Sequence, residues 1–128
     1  MSGPPRILIV DDSFVDAELA QWHLEKAGMC CTASVQYTEA GFVLDLTRWI
    51  PQAILLDLNI PGFDPFTALR IAKSLVPTVP VILWTGGGVR KEEARRALAE
   101  GAHGCADKDN PETLVALFRQ VLGEPLTA

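Results

Sequence analysis

Hydrophobic positions alternate along the chain between two kinds of segment. Short continuous apolar runs, such as "RILIV" and "AILLD", are separated by longer stretches in which apolar residues recur every three or four positions. Continuous runs of this length are typical of strands buried on both faces of a parallel sheet, and the longer pattern is typical of helices. Because the two patterns alternate five times, the sequence predicts an α/β fold, with a doubly wound parallel sheet covered by helices on both faces.

The predicted strands are the short apolar runs, and they cover residues 6–12, 30–35, 53–57, 80–85 and 104–108. The predicted helices follow them one by one, at residues 13–28, 38–49, 65–75, 89–101 and 110–122. We expect one domain over residues 6–122, preceded by a tail at residues 1–5 and followed by a tail or the start of a linker at residues 123–128.

The first predicted helix has a clear start and end. Ser13 is a typical N-cap residue, Asp16 stands at the capping-box position three residues later, and Gly28 is a typical end. The larger apolar residues recur at helical spacing, so we expect an apolar face formed by Val15, Leu19 and Trp22, with His23 beside it.

Composition and charge exclude several classes of function. The 128 residues carry a net charge of −5 and contain no basic run, which argues against direct nucleic-acid binding. No apolar run approaches the roughly 18 residues of a membrane span, and the N-terminus does not have the pattern of a signal peptide. The 3 cysteines, two of them adjacent, predict neither a disulfide framework nor a zinc site, so we expect a cytoplasmic protein with reduced thiols and no membrane partner.

Polar residues of complementary chemistry stand at the ends of four predicted strands. Asp11 and Asp12 end the first strand, Asp57 the third, Thr85 the fourth and Lys108 the fifth. The carboxyl ends of parallel strands lie at one edge of the sheet, where ligands bind, so we expect these residues to meet there, with Asp57 open to solvent. Three clustered carboxylates repel one another, which predicts a Mg²⁺ ion, with Mn²⁺ as the alternative metal. Such a carboxylate can also attack phosphorus and form an aspartyl phosphate.

The order of these motifs resembles a known family. The segments "ILIVDD", "ILLDLNIPG", "VILWTGG" and "GAHGCADK" are similar to the receiver domain of two-component response regulators, over about residues 6–122. The resemblance implies the flavodoxin-like fold of chemotaxis regulators, with strand order 2-1-3-4-5 and five helices. It also implies a function, which is to accept a phosphoryl group from a histidine kinase during signal transduction.

The resemblance assigns acceptor and metal-binding roles to four residues. Asp57 matches the phosphoacceptor, whose carboxylate is also a metal ligand. Asp12 matches the direct Mg²⁺ ligand, and Asp11 matches the neighbour that acts through water or a hydrogen bond. Asn59 matches the position whose backbone carbonyl completes the coordination.

Four further residues match positions that contact the phosphoryl group. Thr85 matches the hydroxyl that follows this group after transfer, and Lys108 matches the ammonium that pairs with one of its oxygens. Gly86 and Leu58 match positions that contact it through the backbone. The implied protein is not an enzyme acting on other molecules but a regulatory phosphoprotein that assists its own phosphorylation and dephosphorylation.

The implied partners are a histidine kinase or a histidine phosphotransfer protein. The segment "GAHGCADKDN" resembles the corresponding segment of receivers that are attached to, or work with, sensor histidine kinases and diguanylate cyclases. We therefore also expect an output domain or partner of that kind. In the family, the face of the fourth and fifth helices, here residues 89–122, usually changes on phosphorylation and drives dimerisation. It is a candidate homodimer surface, and we expect a different or smaller change there in this chain.

Four positions depart from the family pattern. Cys105 replaces the aromatic residue that many receivers carry three residues before the lysine, and Asp109 replaces a proline, so no cis peptide bond is expected after Lys108. Pro65 stands where a glycine is common, and Asp107 adds a charge beside the lysine. We therefore expect the usual output switch to be altered.

Two alternative functions stay open, one suggested by Cys105 and Asp109 and the other by the shared architecture. A pseudo-receiver would keep the fold as a phosphorylation-independent binding or dimerisation module, although the complete acidic site argues against it. A flavodoxin-type redox carrier would need a phosphate-binding loop after the first strand, and the acidic "DDSFVD" would repel an FMN phosphate.

Overall fold

The computed structural model describes residues 3–86 and 91–123. Within these ranges the strands are β1 (Arg6–Val10), β2 (Thr32–Gln36), β3 (Ala53–Asp57), β4 (Val81–Thr85) and β5 (Gly104–Asp107). The helices are α1 (Phe14–Lys26), α2 (Glu39–Arg48), α3 (Pro65–Leu75), α4 (Lys91–Ala99) and α5 (Pro111–Leu122). The predicted first residues of the fourth helix, 89–90, lie outside the described residues, as do Gly87 and Gly88 of the loop before it.

The five strands form one parallel sheet in the order β2-β1-β3-β4-β5, which confirms the fold class and the strand order. β2 begins two residues later than predicted, because its pairing with β1 starts at Arg6 and Thr32. Cys30 is therefore exposed and Cys31 half-buried, before the strand begins. None of the helices in the described part of the chain is long and apolar enough to cross a membrane.

The core consists of two layers, one on each face of the sheet. Successive side chains of a strand point to opposite faces, so Ile7 and Ile9 of β1 join the layer beneath α1 and α5, whereas Leu8 and Val10 join the layer beneath α2, α3 and α4. All five residues of β3 and of β4 are buried. This double burial explains why these strands read as continuous apolar runs, and it fixes the position of the residues at their carboxyl ends.

The predicted buried face of α1 is wrong. The residues of α1 that pack beneath the sheet are Ala17, Ala20 and Leu24. The residues predicted to pack are instead exposed, and their exposed fractions are 68% for Val15, 46% for Leu19 and 50% for Trp22. His23 is half-buried, as expected. Small alanine side chains allow α1 to approach the sheet closely, so the large apolar residues lie on the opposite side.

Candidate functional site

The strand register brings the predicted residues to one edge of the sheet. Val10 pairs with Leu56, so the residues that follow them, Asp11 and Asp57, lie side by side on neighbouring strands. Thr85 pairs with Asp107, which places Lys108 next to the end of β4. The Lys108 backbone N–H donates to the Thr85 carbonyl over 2.6 Å, which fixes the end of β5 against β4.

A cavity of about 370 Å³ opens at this edge, and six of the predicted site residues line it: Asp11, Asp12, Asp57, Asn59, Gly86 and Lys108. Three residues that were not predicted for the site, Ser13, Asp16 and Pro61, line it as well. The fold therefore brings most of the predicted residues together at the ends of four different strands.

Two of the carboxylates are buried, which corrects the expectation that Asp57 is open to solvent. Asp57 is 7% exposed and Asp11 is 0% exposed, whereas Asp12 is exposed. The Asp57 carboxylate accepts a hydrogen bond of 2.9 Å from the Asn59 backbone N–H. Burial raises the pKa of the Asp11 carboxyl to about 6, against the opposing effects of the Ser13 N–H and Lys108. Burial is possible because both carboxylates have charged or N–H donors as partners.

Lys108 provides the positive charge at the centre of the site. Its ammonium donates to the carboxylate of Asp16 over 2.8 Å, of Asp11 over 3.0 Å and of Asp57 over 3.2 Å. The Lys108 side chain is only 16% exposed. Burial alone would lower the pKa of Lys108. The hydrogen bonds with Asp16 and Asp11, together with the negative charges of Asp57 and Asp11, outweigh burial and raise the pKa above its ordinary value. Lys108 is therefore firmly protonated and offsets part of the negative charge.

The acidic cluster has the donor set of a magnesium site. Asp11, Asp12 and Asp57 each offer a carboxylate oxygen, and these oxygens lie within 4.8 Å of one another. Mg²⁺ prefers hard oxygen ligands and usually keeps several waters, which the exposed position of Asp12 permits. The residues present therefore fit a hexacoordinate hard cation.

Thr85 and Leu58 do not line the cavity. Both are buried, with exposed fractions of 7% and 4%. The Thr85 hydroxyl donates weakly to the Ala106 carbonyl over 3.5 Å and lies 3.8 Å from the Cys105 sulfur. In this conformation the hydroxyl faces β5, so its predicted contact with a phosphoryl group requires a rotation towards the cavity.

Gly86 is required by Lys108 as much as by a phosphoryl group. A Cβ atom at Gly86 would lie 3.2 Å from Cδ and 3.3 Å from Cβ of Lys108, closer than side-chain contacts normally come. A glycine at this position therefore lets the lysine stem pass close to the backbone and reach the carboxylates.

Two of the departures from the family pattern have simple structural consequences. The peptide bond after Lys108 is trans, as expected. Asp107 does not pair with Lys108, because its carboxylate accepts a 2.8 Å hydrogen bond from the Asp109 backbone N–H and the ammonium is directed to the other three aspartates. Pro65 occupies the first turn of α3 after the N-cap Asp64, a position that suits proline.

Asp16 is the site residue that sequence reasoning missed. Its spacing from Ser13 indicated a capping box, and the Ser13 hydroxyl does accept from the Asp16 backbone N–H over 3.2 Å. The Asp16 carboxylate, however, reaches Lys108. A signal was present, because a carboxylate in the first turn of the helix that follows β1 lies at the same sheet edge as the end of β1.

Comparison with known proteins identifies the family. A family model described as the response regulator receiver domain matches residues 7–119. The chain is 30% identical over 103 residues to the C4-dicarboxylate transport transcriptional regulatory protein DctD of Rhizobium meliloti, covering 80% of this chain and 22% of that protein. It is 31% identical over 120 residues to the autoinducer 1 sensor kinase/phosphatase LuxN of Vibrio campbellii, covering 93% of this chain and 13% of that protein. The chain thus spans less than a quarter of the length of these two relatives.

Solved structures show the same fold. A response regulator from Chloroflexus aurantiacus superposes with a TM-score of 0.82 at 24% sequence identity, covering 95% of this chain and 100% of that one. The match to the family model spans most of the chain, including all five strands except Arg6 and the acidic edge that they form. This chain belongs to the response regulator receiver domain family of two-component signalling systems.

Proposed function

We propose that this receiver domain accepts a phosphoryl group on Asp57 from a phosphohistidine of a histidine kinase or a histidine phosphotransfer protein. The observation that carries the proposal is the arrangement of Asp57 beside two further carboxylates and the Lys108 ammonium in one cavity. A carboxylate oxygen of Asp57 would attack phosphorus, forming an O–P bond as the N–P bond to the imidazole breaks. The electron pair of the broken bond would stay with the histidine nitrogen.

The chain's own residues would supply charge and positioning. Lys108 lies 3.2 Å from the Asp57 carboxylate, so its ammonium can pair with a phosphoryl oxygen with little movement. The Asn59 N–H holds the carboxylate in one orientation, and Thr85, Gly86 and Leu58 are the proposed phosphoryl contacts. A Mg²⁺ or Mn²⁺ ion bound by Asp57, Asp12 and the Asn59 carbonyl, with Asp11 acting indirectly, would neutralise charge on the transferred group. We propose that the chain assists only its own phosphorylation and dephosphorylation and does not catalyse reactions of other molecules.

The test is phosphorylation by a small-molecule donor. Purified protein is incubated with Mg²⁺ and acetyl phosphate, and its intact mass is measured. Wild type should gain the mass of one phosphoryl group, and neither Asp57→Ala nor wild type with EDTA should gain it. Asp64→Ala, which removes a carboxylate at the start of α3 outside the cavity, is the matched control and should be modified like wild type. The absence of any mass gain on wild type would favour the pseudo-receiver alternative.

The partners follow from the family and remain proposals. The relatives include a transcriptional regulatory protein and a sensor kinase/phosphatase, in which the matching segment is a small part of the chain. An output domain or a sensor kinase or diguanylate cyclase partner is proposed on that basis, with no direct nucleic-acid contact by this domain. The α4–α5 face, which includes the exposed Leu98, is the proposed homodimer surface. The three free cysteines support the proposal of a cytoplasmic location.

A further inference from the structure

Asp16 makes the shortest of the three hydrogen bonds to the Lys108 ammonium. The distance is 2.8 Å, compared with 3.0 Å for Asp11 and 3.2 Å for Asp57. Asp57 ends β3 and Asp11 directly follows β1, whereas Asp16 comes from the first turn of α1. Its side chain is 34% exposed, so it meets the ammonium from the solvent side of the site.

The local structure of α1 leaves the Asp16 carboxylate free for this contact. In a complete capping box, the carboxylate at this position would accept from the backbone N–H of Ser13. Here the Ser13 N–H donates to the Asp11 carboxylate over 2.9 Å instead. The Ser13 hydroxyl still caps the helix through the Asp16 N–H. The cap therefore fixes the Asp16 backbone, and its side chain is available to Lys108.

Asp16 differs from the other partners of Lys108 in its relation to the metal cluster. Asp11 and Asp57 each belong both to the oxygen cluster that fits a divalent cation and to the set of carboxylates bonded to the ammonium. Asp16 belongs to the second set alone. A divalent cation among Asp11, Asp12 and Asp57 would repel an ammonium bonded to two of them, so Lys108 needs an anionic partner outside the cluster.

We infer that Asp16 is a positioning residue that holds the Lys108 ammonium beside the metal site, so that Lys108 and a divalent cation can occupy the cavity together. The inference rests on the proposed function, because it assumes the metal site of the receiver. Without Asp16, the Lys108 ammonium would bind only Asp11 and Asp57 and would compete with the cation for their carboxylate oxygens. Asp16 would thus favour metal binding through Lys108 and not by contact with the metal.

A double-mutant cycle separates this role from a simple effect of charge. Mg²⁺ affinity is measured by isothermal titration calorimetry, with the metal alone and at fixed ionic strength, for wild type, Asp16→Asn, Lys108→Met and the double variant. Asp16→Asn should weaken Mg²⁺ binding about tenfold in the wild-type background, a size typical of residues that orient metal ligands. In the Lys108→Met background the same change should cost less than about twofold, because the competing ammonium is gone.

Two further variants complete the test. Glu18→Gln removes one negative charge from an exposed position of the same helix and should leave the affinity within about twofold of wild type. Asp16→Glu keeps the carboxylate and should recover part of the affinity. Lys108→Gln replaces Lys108→Met if thermal unfolding shows that the latter does not fold.

The outcomes distinguish this inference from the proposed function. An equal loss of affinity from Asp16→Asn with and without Lys108 would mean that Asp16 acts on the metal directly, and would overturn the inference. So would an affinity of Asp16→Asn equal to that of wild type. In either case the gain of phosphoryl mass by wild type would still support the proposed function. Failure of wild type to bind Mg²⁺ would overturn the metal site and this inference together.

Discussion

At the scale of single residues, the site balances buried negative charge with one lysine. Asp11 is fully buried and Asp57 nearly so. A buried carboxylate destabilises the folded state unless a cation lies close by. Lys108 is that cation in the absence of metal, with its ammonium bonded to both. Lys108 is therefore one of the most constrained side chains of the site.

Replacement of Lys108 should therefore destabilise the metal-free protein. Lys108→Met leaves two buried carboxylates without their charged partner, so we expect a loss of about 3 kcal/mol in the free energy of unfolding. Added Mg²⁺ should recover much of the loss, because the metal replaces the ammonium as counter-charge. Urea denaturation in EDTA and in Mg²⁺ measures both effects. Lys91→Met, at an exposed position, is the control, and an equal loss from the two variants would contradict the prediction.

Cys31 should show an unusual dependence of its reactivity on pH. Burial, together with the neighbouring Cys30, raises the pKa of the Cys31 thiol from 9.0 to about 11. Alkylation needs the thiolate, and in a variant with Cys30→Ser and Cys105→Ser burial alone still raises the pKa of Cys31. The labelling rate by iodoacetamide should therefore keep rising at pH values above 9.0. In urea the midpoint should return to about 9. Because the folded pKa is the higher one, the thiol's contribution to stability is complete below pH 9 and is lost as the pH rises towards 11. Equal midpoints in the two states would refute this.

At the scale of elements, α1 shows where the hydrophobic pattern fails. The prediction of its buried face relied on the spacing of large apolar side chains. The helix instead packs against the sheet through Ala17, Ala20 and Leu24. Its large apolar residues remain exposed and form the α1 patch, which consists of Phe14, Val15, Leu19 and Trp22. The patch starts next to Ser13, which lines the cavity around Asp57. Exposed apolar surface of this extent often marks a binding surface for another protein.

The α1 patch should contribute to the docking of the protein that delivers the phosphoryl group. Leu19→Ser with Trp22→Ser should slow phosphoryl transfer from a phosphorylated histidine phosphotransfer protein by about fivefold or more, because exposed apolar anchors dominate protein interfaces. Transfer from acetyl phosphate, which needs no docking, should be unchanged. Leu44→Ser, at an exposed apolar position of α2, is the matched control. Equal slowing with both donors would point instead to a damaged site.

At the scale of the whole molecule, the sequence predicted the parallel sheet and the edge at which the candidate site residues lie. Strands buried on both faces leave an unmistakable apolar run, and the parallel topology then places Asp11, Asp57 and Lys108 at one edge. What it did not predict depends on side-chain direction. The rotation of Thr85 towards β5, the burial of Asp57 and the contact of Asp16 with Lys108 are set by packing between elements distant in the chain, and no local pattern records them.

We expect the response of the whole domain to phosphorylation to depend on the contact between Thr85 and Cys105. The Thr85 hydroxyl lies 3.8 Å from the Cys105 sulfur, and a phosphoryl group on Asp57 would offer it a stronger, charged acceptor. When the hydroxyl rotates away from β5, it leaves a small thiol behind and no large ring that must repack. The rearrangement of α4, β5 and α5 should therefore be small.

Amide hydrogen exchange with and without a beryllofluoride adduct of Asp57 measures that rearrangement. In wild type, we expect roughly half as many amides of residues 91–122 to change their protection as in Cys105→Tyr, where a ring next to Thr85 must move with it. Cys105→Ser preserves the size of the side chain and should behave like wild type. The thiol of Cys105 is too small to require repacking when the Thr85 hydroxyl rotates. A change in wild type as large as that in Cys105→Tyr would therefore show that the switch operates through other contacts.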